Sequence, residues 1–200
     1  MRFLGRADEI GIVTVLWSYR EQPEANLSVP NRRDVTAFRR FAALSGRVLD
    51  VGCGPAGRPA YVPEGTELIG IDPFEPENPD FYYLKAICEY LPFKDGTFDA
   101  VVFGTSFDHL LDVGQSLREC KRVLRDGGRV LLWEGRHLKP RKEFTLPVPE
   151  GAEDPFHLKK YDVDEIIEQL EVAGLHVVAH ADLRLAEREH YVHHHVEAEA

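Results

Sequence analysis

Residues Val48 to Gly57 read Val-Leu-Asp-Val-Gly-Cys-Gly-Pro-Ala-Gly, and they constrain this chain more than any other stretch. The short apolar run Arg47 to Val51 has the composition of a buried parallel strand. Asp50 sits inside that run, and glycines follow at 52, 54 and 57. A carboxylate within an apolar strand costs free energy unless something pairs with it. Glycine fits where backbone turns tightly and a ligand comes close to the main chain. The combination predicts a strand end that holds a polar ligand against bare backbone.

Further strand and helix signals alternate along the chain, which predicts an α/β fold with a mostly parallel sheet. Strands are expected near 47–52, 67–71, 81–86, 98–103 and 129–134. A hairpin of two more is expected at His176 to Leu185 and Glu189 to Glu197. Helices are expected over Asn31 to Leu44, Val113 to Leu124 and Val163 to Ala173. Asp112 is placed to cap the second, and Asp162 with Glu165 has capping-box spacing for the third. Gly127-Gly128 is expected to make the turn before the 129–134 strand, and Gly174 to stop the third helix. Prolines at 55, 59 and 63 leave room for no more than a turn or two of helix after the glycine loop.

Gly52, Gly54 and Gly57 satisfy the Gly-x-Gly-x-x-Gly pattern of dinucleotide sites. Asp50 argues for a different ligand. A carboxylate two residues before the first glycine repels a pyrophosphate and attracts a cationic sulfonium or ammonium. The stretch resembles motif I of the class I S-adenosylmethionine-dependent methyltransferases. Two later blocks carry the same resemblance: Glu89-Tyr90-Leu91-Pro92-Phe93-Lys94-Asp95-Gly96-Thr97-Phe98-Asp99, and Leu117 to Leu131 with its Gly127-Gly128 turn. The similarity covers about residues 45 to 180 and is nearest to the small-molecule branch of the quinone-biosynthesis (type 11) enzymes. It implies a Rossmann-like, doubly wound sheet of seven strands, mostly parallel with an antiparallel last strand.

The resemblance also implies site roles. Asp50 works near the methionine end of S-adenosylmethionine, Gly52 and Gly54 let backbone lie beneath it, and Cys53 is a small apolar residue under it. Asp72, followed by Pro73, ends the second strand where an acid grips the ribose hydroxyls; alone it reads as a turn residue before proline. Ile87 stands where many relatives carry an adenine-binding aspartate. Backbone of Cys88 and Glu89 substitutes for it, or Glu89 is a solvated loop acid. Gly104 and Thr105 face the methionine portion. His109, in Gly104-Thr105-Ser106-Phe107-Asp108-His109, is the candidate general base, or else it or Asp108 only caps or orients the next helix. His137, His157 and Tyr161 flank a long segment, Arg136 to Lys160, that reads as a substrate wall. Trp17 and Tyr19 in the N-terminal arm, residues 1–45, are either substrate cover or core aromatics.

Composition narrows the remaining classes. A length of 200 residues suggests one domain. The net charge of −10 disfavours a nucleic-acid substrate, and the arginines at 32, 33, 39 and 40 read as a solvated helix face. No apolar run approaches membrane-spanning length. The three cysteines show no metal-like spacing and read as reduced thiols of a cytoplasmic protein. The run His193-His194-His195 reads as partly solvated edge-strand residues rather than a metal site, with alternating side-chain directions. The expected activity is methyl transfer from S-adenosylmethionine to a small-molecule acceptor. The competing readings are a cofactor-binding regulatory module without turnover and an NAD(P)-dependent oxidoreductase.

Overall fold

A computed structural model describes residues 26–54, 56–73, 79–138, 159–186 and 189–200. Trp17, Tyr19, His157 and most of the Arg136 to Lys160 segment lie outside those residues. The elements, in chain order, are α1 (Arg33–Ala42), β1 (Arg47–Val51), β2 (Glu67–Asp72), β3 (Tyr82–Lys85), β4 (Phe98–Gly104), α2 (Val113–Val123), β5 (Leu124–His137), α3 (Val163–Val172), β6 (His176–Leu183) and β7 (Tyr191–Glu199). Two short 3₁₀ turns, Cys88–Tyr90 and Phe107–His109, precede β4 and α2 respectively. The seven strands form one sheet in the order β3-β2-β1-β4-β5-β7-β6. The first five positions are parallel, and β7 runs antiparallel to both its neighbours. The strand order reverses between β1 and β4, and the carboxyl ends of strands at such a switch point are where open α/β sheets bind ligands.

The sheet is buried on both faces, as the continuous apolar runs of β1 and β4 require. On one face, Leu49, Val101, Phe103 and Val130 pack with Leu117 and Cys120 of α2 and with Ile166 and Leu170 of α3. On the other, Val48, Ala100, Val102 and Trp133 pack with Val35, Phe38 and Ala42 of α1. Expected caps are present: Gln115 N–H donates to Asp112 Oδ1 (2.9 Å), and Asp162 with Glu165 forms a capping box. Gly174 takes φ +76°, the left-handed conformation that stops α3. Residues 56–66 hold turns and bends without a helix, as the prolines dictate.

Two expectations need correcting. The strand at 129–134 starts earlier. Phe98 pairs with Leu124, and the next pair is Ala100 with Arg129. Residues 125–128 therefore bulge out of β5 rather than standing before it, with Gly127 at φ +71°. The histidine triplet is neither solvated nor on an edge. β6 is the edge strand and β7 lies inside it. His193, His194 and His195 are only 3%, 6% and 3% exposed. The alternation does hold. His193 and His195 face the aromatic cluster, where Trp133 Nε1 donates to His193 Nδ1 (2.9 Å) and Phe38 packs 5.2 Å from the His195 ring. His194 turns to the opposite face and meets Asp182. Burial pushes His195 down to about 4, so its imidazole is neutral at physiological pH.

Phe38 joins α1 to the sheet. Its ring lies 5.2 Å from that of Tyr61 and 5.4 Å from that of Trp133, and it is fully buried. Removing a fully buried phenylalanine costs about 3–5 kcal/mol. Urea unfolding of Phe38→Ala should show a loss of that size with an unchanged m-value; a loss below about 1 kcal/mol would show that α1 is not fixed by this cluster.

Candidate functional site at the strand tips

The site is built on the carboxyl ends of β1, β2 and β4. Gly52 and Cys53 both donate backbone N–H to Ile71 O, at 2.8 and 3.2 Å, which curls the chain over the tip of β2. Gly52 and Gly54 take φ +72° and +70°. At Gly52 a Cβ would lie 2.5 Å from Ser106 Cβ, so glycine is required twice over. The Ser106 hydroxyl donates to Val51 O (2.5 Å) and ties the loop after β4 to the end of β1. Thr105, at φ +61°, is a left-handed non-glycine residue held by its N–H to Trp133 O (2.8 Å).

Two carboxylates face this loop. Asp72 Oδ2 accepts the Gly54 N–H (2.9 Å), so the acid at the second strand end also fixes the glycine loop. Asp50 is completely buried, and its Oδ1 accepts from the Tyr61 hydroxyl (2.7 Å). Its Oδ2 is buried with no hydrogen-bond partner among the described residues. Burial raises the Asp50 carboxyl to about 7; Tyr61 works against the rise and the Asp72 charge adds to it. Tyr61 comes from the proline-interrupted segment after the glycine loop. Its ring lies where a Cβ on Gly104 would fall, 2.5 Å from the hydroxyl. Gly104 therefore admits Tyr61 to Asp50. Nothing in the motif comparison points to Tyr61; an aromatic between Pro59 and Pro63 is the available signal.

Cys53 is buried beneath the loop, and burial with the nearby Asp50 and Asp72 charges drives its thiol far up. A buried thiol raised in this way suits packing rather than nucleophilic attack. Cys88 is buried too, with Sγ 3.6 Å from Cys120 Sγ and near Ser116 O, so its side chain faces α2. Pro73 follows Asp72 and is partly exposed. Glu89 is not solvated. Its Oε1 accepts from Leu111 N–H (2.8 Å) and Asp112 N–H (3.1 Å), which fixes the approach to α2. The Leu91-Pro92-Phe93 block gains a physical reason: Arg122 on α2 donates to Leu91 O and Phe93 O while pairing with Glu119 and Asp95.

The 3₁₀ turn after β4 brings Asp108 and His109 to the same rim. His109 Nε2 lies 3.6 Å from Asp108 Oδ1, and the imidazole is partly open. Glu134 of β5, also buried, accepts from Phe107 N–H (2.8 Å) and holds this turn in place. Burial first, and then the neighbouring Asp108 charge, push the Glu134 carboxyl well up. Glu134 carries the same signal as Asp50, an acid inside an apolar strand, yet the motif comparison does not reach it. Tyr161 packs on Phe107 (5.2 Å between rings) beneath the turn.

The sheet order, the glycine loop and the acids at neighbouring strand tips define a Rossmann-like site of the kind that holds an adenosyl ligand. A methyltransferase domain model matches residues 49–132. An uncharacterized methyltransferase of Schizosaccharomyces pombe, C1B3.06c, is 36% identical over 118 residues, 48% of this chain and 42% of its own length. The ubiquinone/menaquinone biosynthesis C-methyltransferase UbiE of Geotalea daltonii is 31% identical over 165 residues, 66% of this chain and 70% of its own. Among solved structures, the Burkholderia thailandensis 1,6-didemethyltoxoflavin-N1-methyltransferase superposes with TM-score 0.67 over 99% of this chain and 88% of that one, at 15% identity. The chain belongs to the class I S-adenosylmethionine-dependent methyltransferases.

The raised Asp50 carboxyl has a pH consequence. Between the unfolded value near 4 and the folded value of about 7, the unfolded chain is ionised there while the native one keeps its proton. The stability contributed by this group is present at low pH and is lost as pH rises to 7. In Asp50→Asn the amide oxygen can still accept from Tyr61 and nothing titrates. We expect the variant to gain on wild type by at most about 1.4 kcal/mol per pH unit from pH 5 to 7 and to level off above. Paired thermal melts across that range check this, and the comparison cancels the opposing contribution of His195. A constant gap would mean that Asp50 is ionised throughout.

Proposed function

We propose that this chain transfers the methyl group of S-adenosylmethionine to a small-molecule acceptor by direct displacement. The observation that carries the reading is the buried Asp50 Oδ2, without a hydrogen-bond partner among the described residues, beside a loop of left-handed glycines. A buried carboxylate oxygen left unmatched fits a cationic group that arrives with a ligand. The ammonium of the cofactor's methionine tail is such a group. Asp72 suits the ribose hydroxyls, with the Gly54 N–H bond holding its carboxylate in place. Gly52, Gly54, Cys53 and Pro73 shape the floor, backbone of Cys88 and Glu89 borders the adenine, and Gly104 and Thr105 border the methionine end. When bound, S-adenosylmethionine supplies an activated methyl group on a good leaving group. The protein's share is positioning and water exclusion.

His109 is assigned as the base that takes the acceptor's proton. Asp108 Oδ1 lies 3.6 Å from the ring, and Glu134 fixes the turn that carries both. A small acceptor is favoured on two grounds. The Geotalea relative is named for ubiquinone/menaquinone biosynthesis, and the Burkholderia neighbour was solved with 1,6-didemethyltoxoflavin and S-adenosylhomocysteine bound. The net charge of −10 is ill suited to nucleic acid. Among the described residues no helix is long and apolar enough to cross a membrane.

Calorimetric titration with S-adenosylhomocysteine tests the reading. Wild type should bind with micromolar affinity, and Asp50→Asn and Asp72→Ala should each weaken binding at least about tenfold. His109→Ala should keep the affinity and lose roughly 10²–10⁴-fold in turnover with an acceptor found by screening. Wild type that does not bind S-adenosylhomocysteine would remove the methyltransferase reading. Binding indifferent to Asp50 would remove that residue's role.

A further inference from the structure

Away from the glycine loop, the β6–β7 hairpin brings three ligating side chains to one point. Asp182 on β6 is the register partner of His194 on β7. His180 stands two residues before Asp182 and emerges on the same face of the sheet. Both imidazoles converge on a single carboxylate oxygen. His180 Nε2 lies 2.9 Å from Asp182 Oδ1, and His194 Nδ1 lies 2.7 Å from the same atom. One ligating atom from each of the three residues falls within 4.8 Å of the other two. His194 is buried, whereas His180 and Asp182 reach solvent. The cluster is thus anchored on its inner side and open on its outer side.

A simple brace would need one histidine on the carboxylate. Here two ring nitrogens and one carboxylate oxygen make a triangle on a rigid strand pair, with water at hand for a fourth position. Zinc bonded at about 2.0–2.1 Å to such ligands in tetrahedral geometry separates them by roughly 3.3 Å. The two nitrogen–oxygen spacings, 2.9 and 2.7 Å, need to open by about half an ångström to reach that separation, and the two ring nitrogens already lie within 4.8 Å of each other. We propose that His180, Asp182 and His194 form a binding site for a divalent transition metal of the zinc class, with water completing the coordination. Each imidazole would bind as the neutral ring, its proton on the far nitrogen. Asp182 supplies the charge. Glu134 is paired in register with His194 on the other side, but its carboxylate accepts the Phe107 N–H and is not counted as a ligand.

The site would pin edge strand β6 to β7, and it stands independently of the methyl-transfer reading. Edge strands carry unpaired backbone on one side and open easily, so a metal clip there raises stability by mass action. The test uses the whole chain after treatment with a chelator, titrated with Co²⁺ as a coloured probe and then with Zn²⁺. The expected result is visible absorption saturating near one Co²⁺ per chain, quenched by Zn²⁺, with a higher melting temperature in Zn²⁺. His180→Gln and Asp182→Asn, both at exposed positions, should each weaken binding at least about tenfold while far-ultraviolet dichroism stays native. Two results would overturn the proposal: no saturable binding at metal concentrations up to about 100 µM, weaker than protein zinc sites ordinarily are, or binding that both variants leave unchanged. The second would place the metal on other histidines or thiols.

Discussion

A carboxylate with no access to water sets the terms for the rest of this fold. Asp50 lies in the middle of a sheet whose two faces are apolar; one of its oxygens is met by the Tyr61 hydroxyl, and the other has no hydrogen-bond partner among the described residues. Leaving a charge in that state is expensive, so the free protein favours the protonated acid. In the proposed complex, a cation at the strand tips would reverse that preference. Gly104 belongs to this arrangement, because a side chain there would displace Tyr61.

Around that centre the loops are held by a repeated device. A buried acid accepts backbone N–H groups at the start of a turn and fixes it. Asp72 does this for Gly54, Glu134 for Phe107, and Glu89 for Leu111 and Asp112. Each such bond satisfies an amide that would otherwise be an orphan near a helix or turn start. Arg122 does the converse for carbonyl groups of Leu91 and Phe93. The crevice is therefore lined by loops whose backbone is positioned by side chains from the rigid sheet and from α2, which suits a reaction that depends on alignment.

Much of this was legible from residue order. Period and punctuation located all seven strands and the three described helices, because buried parallel strands and capped helices have strong local signatures. Asp50, Gly52, Gly54 and Asp72 stood out because an acid or glycine in those settings is costly without a purpose. What escaped depends on contacts distant in sequence. Tyr61 reaches Asp50 across an irregular segment with no periodicity to read. Glu89 looked like loop and is instead a buried clamp, since its partners lie more than twenty residues on. The histidine triplet reads as partly solvated edge strand because three successive polar side chains give no sign of burial. The order of β6 and β7 in the sheet, together with aromatic partners from α1 and β5, buries them instead.

The central claim is that Asp50 is an acid kept near neutrality by burial until a cationic ligand arrives. Carbon-13 NMR of the labelled Asp50 carboxyl, titrated with and without saturating S-adenosylhomocysteine, addresses it directly. The account requires a midpoint of about 7 in the free protein and a clear fall when the ligand is bound. A free-protein midpoint near 4, or one that the ligand does not move, would contradict it.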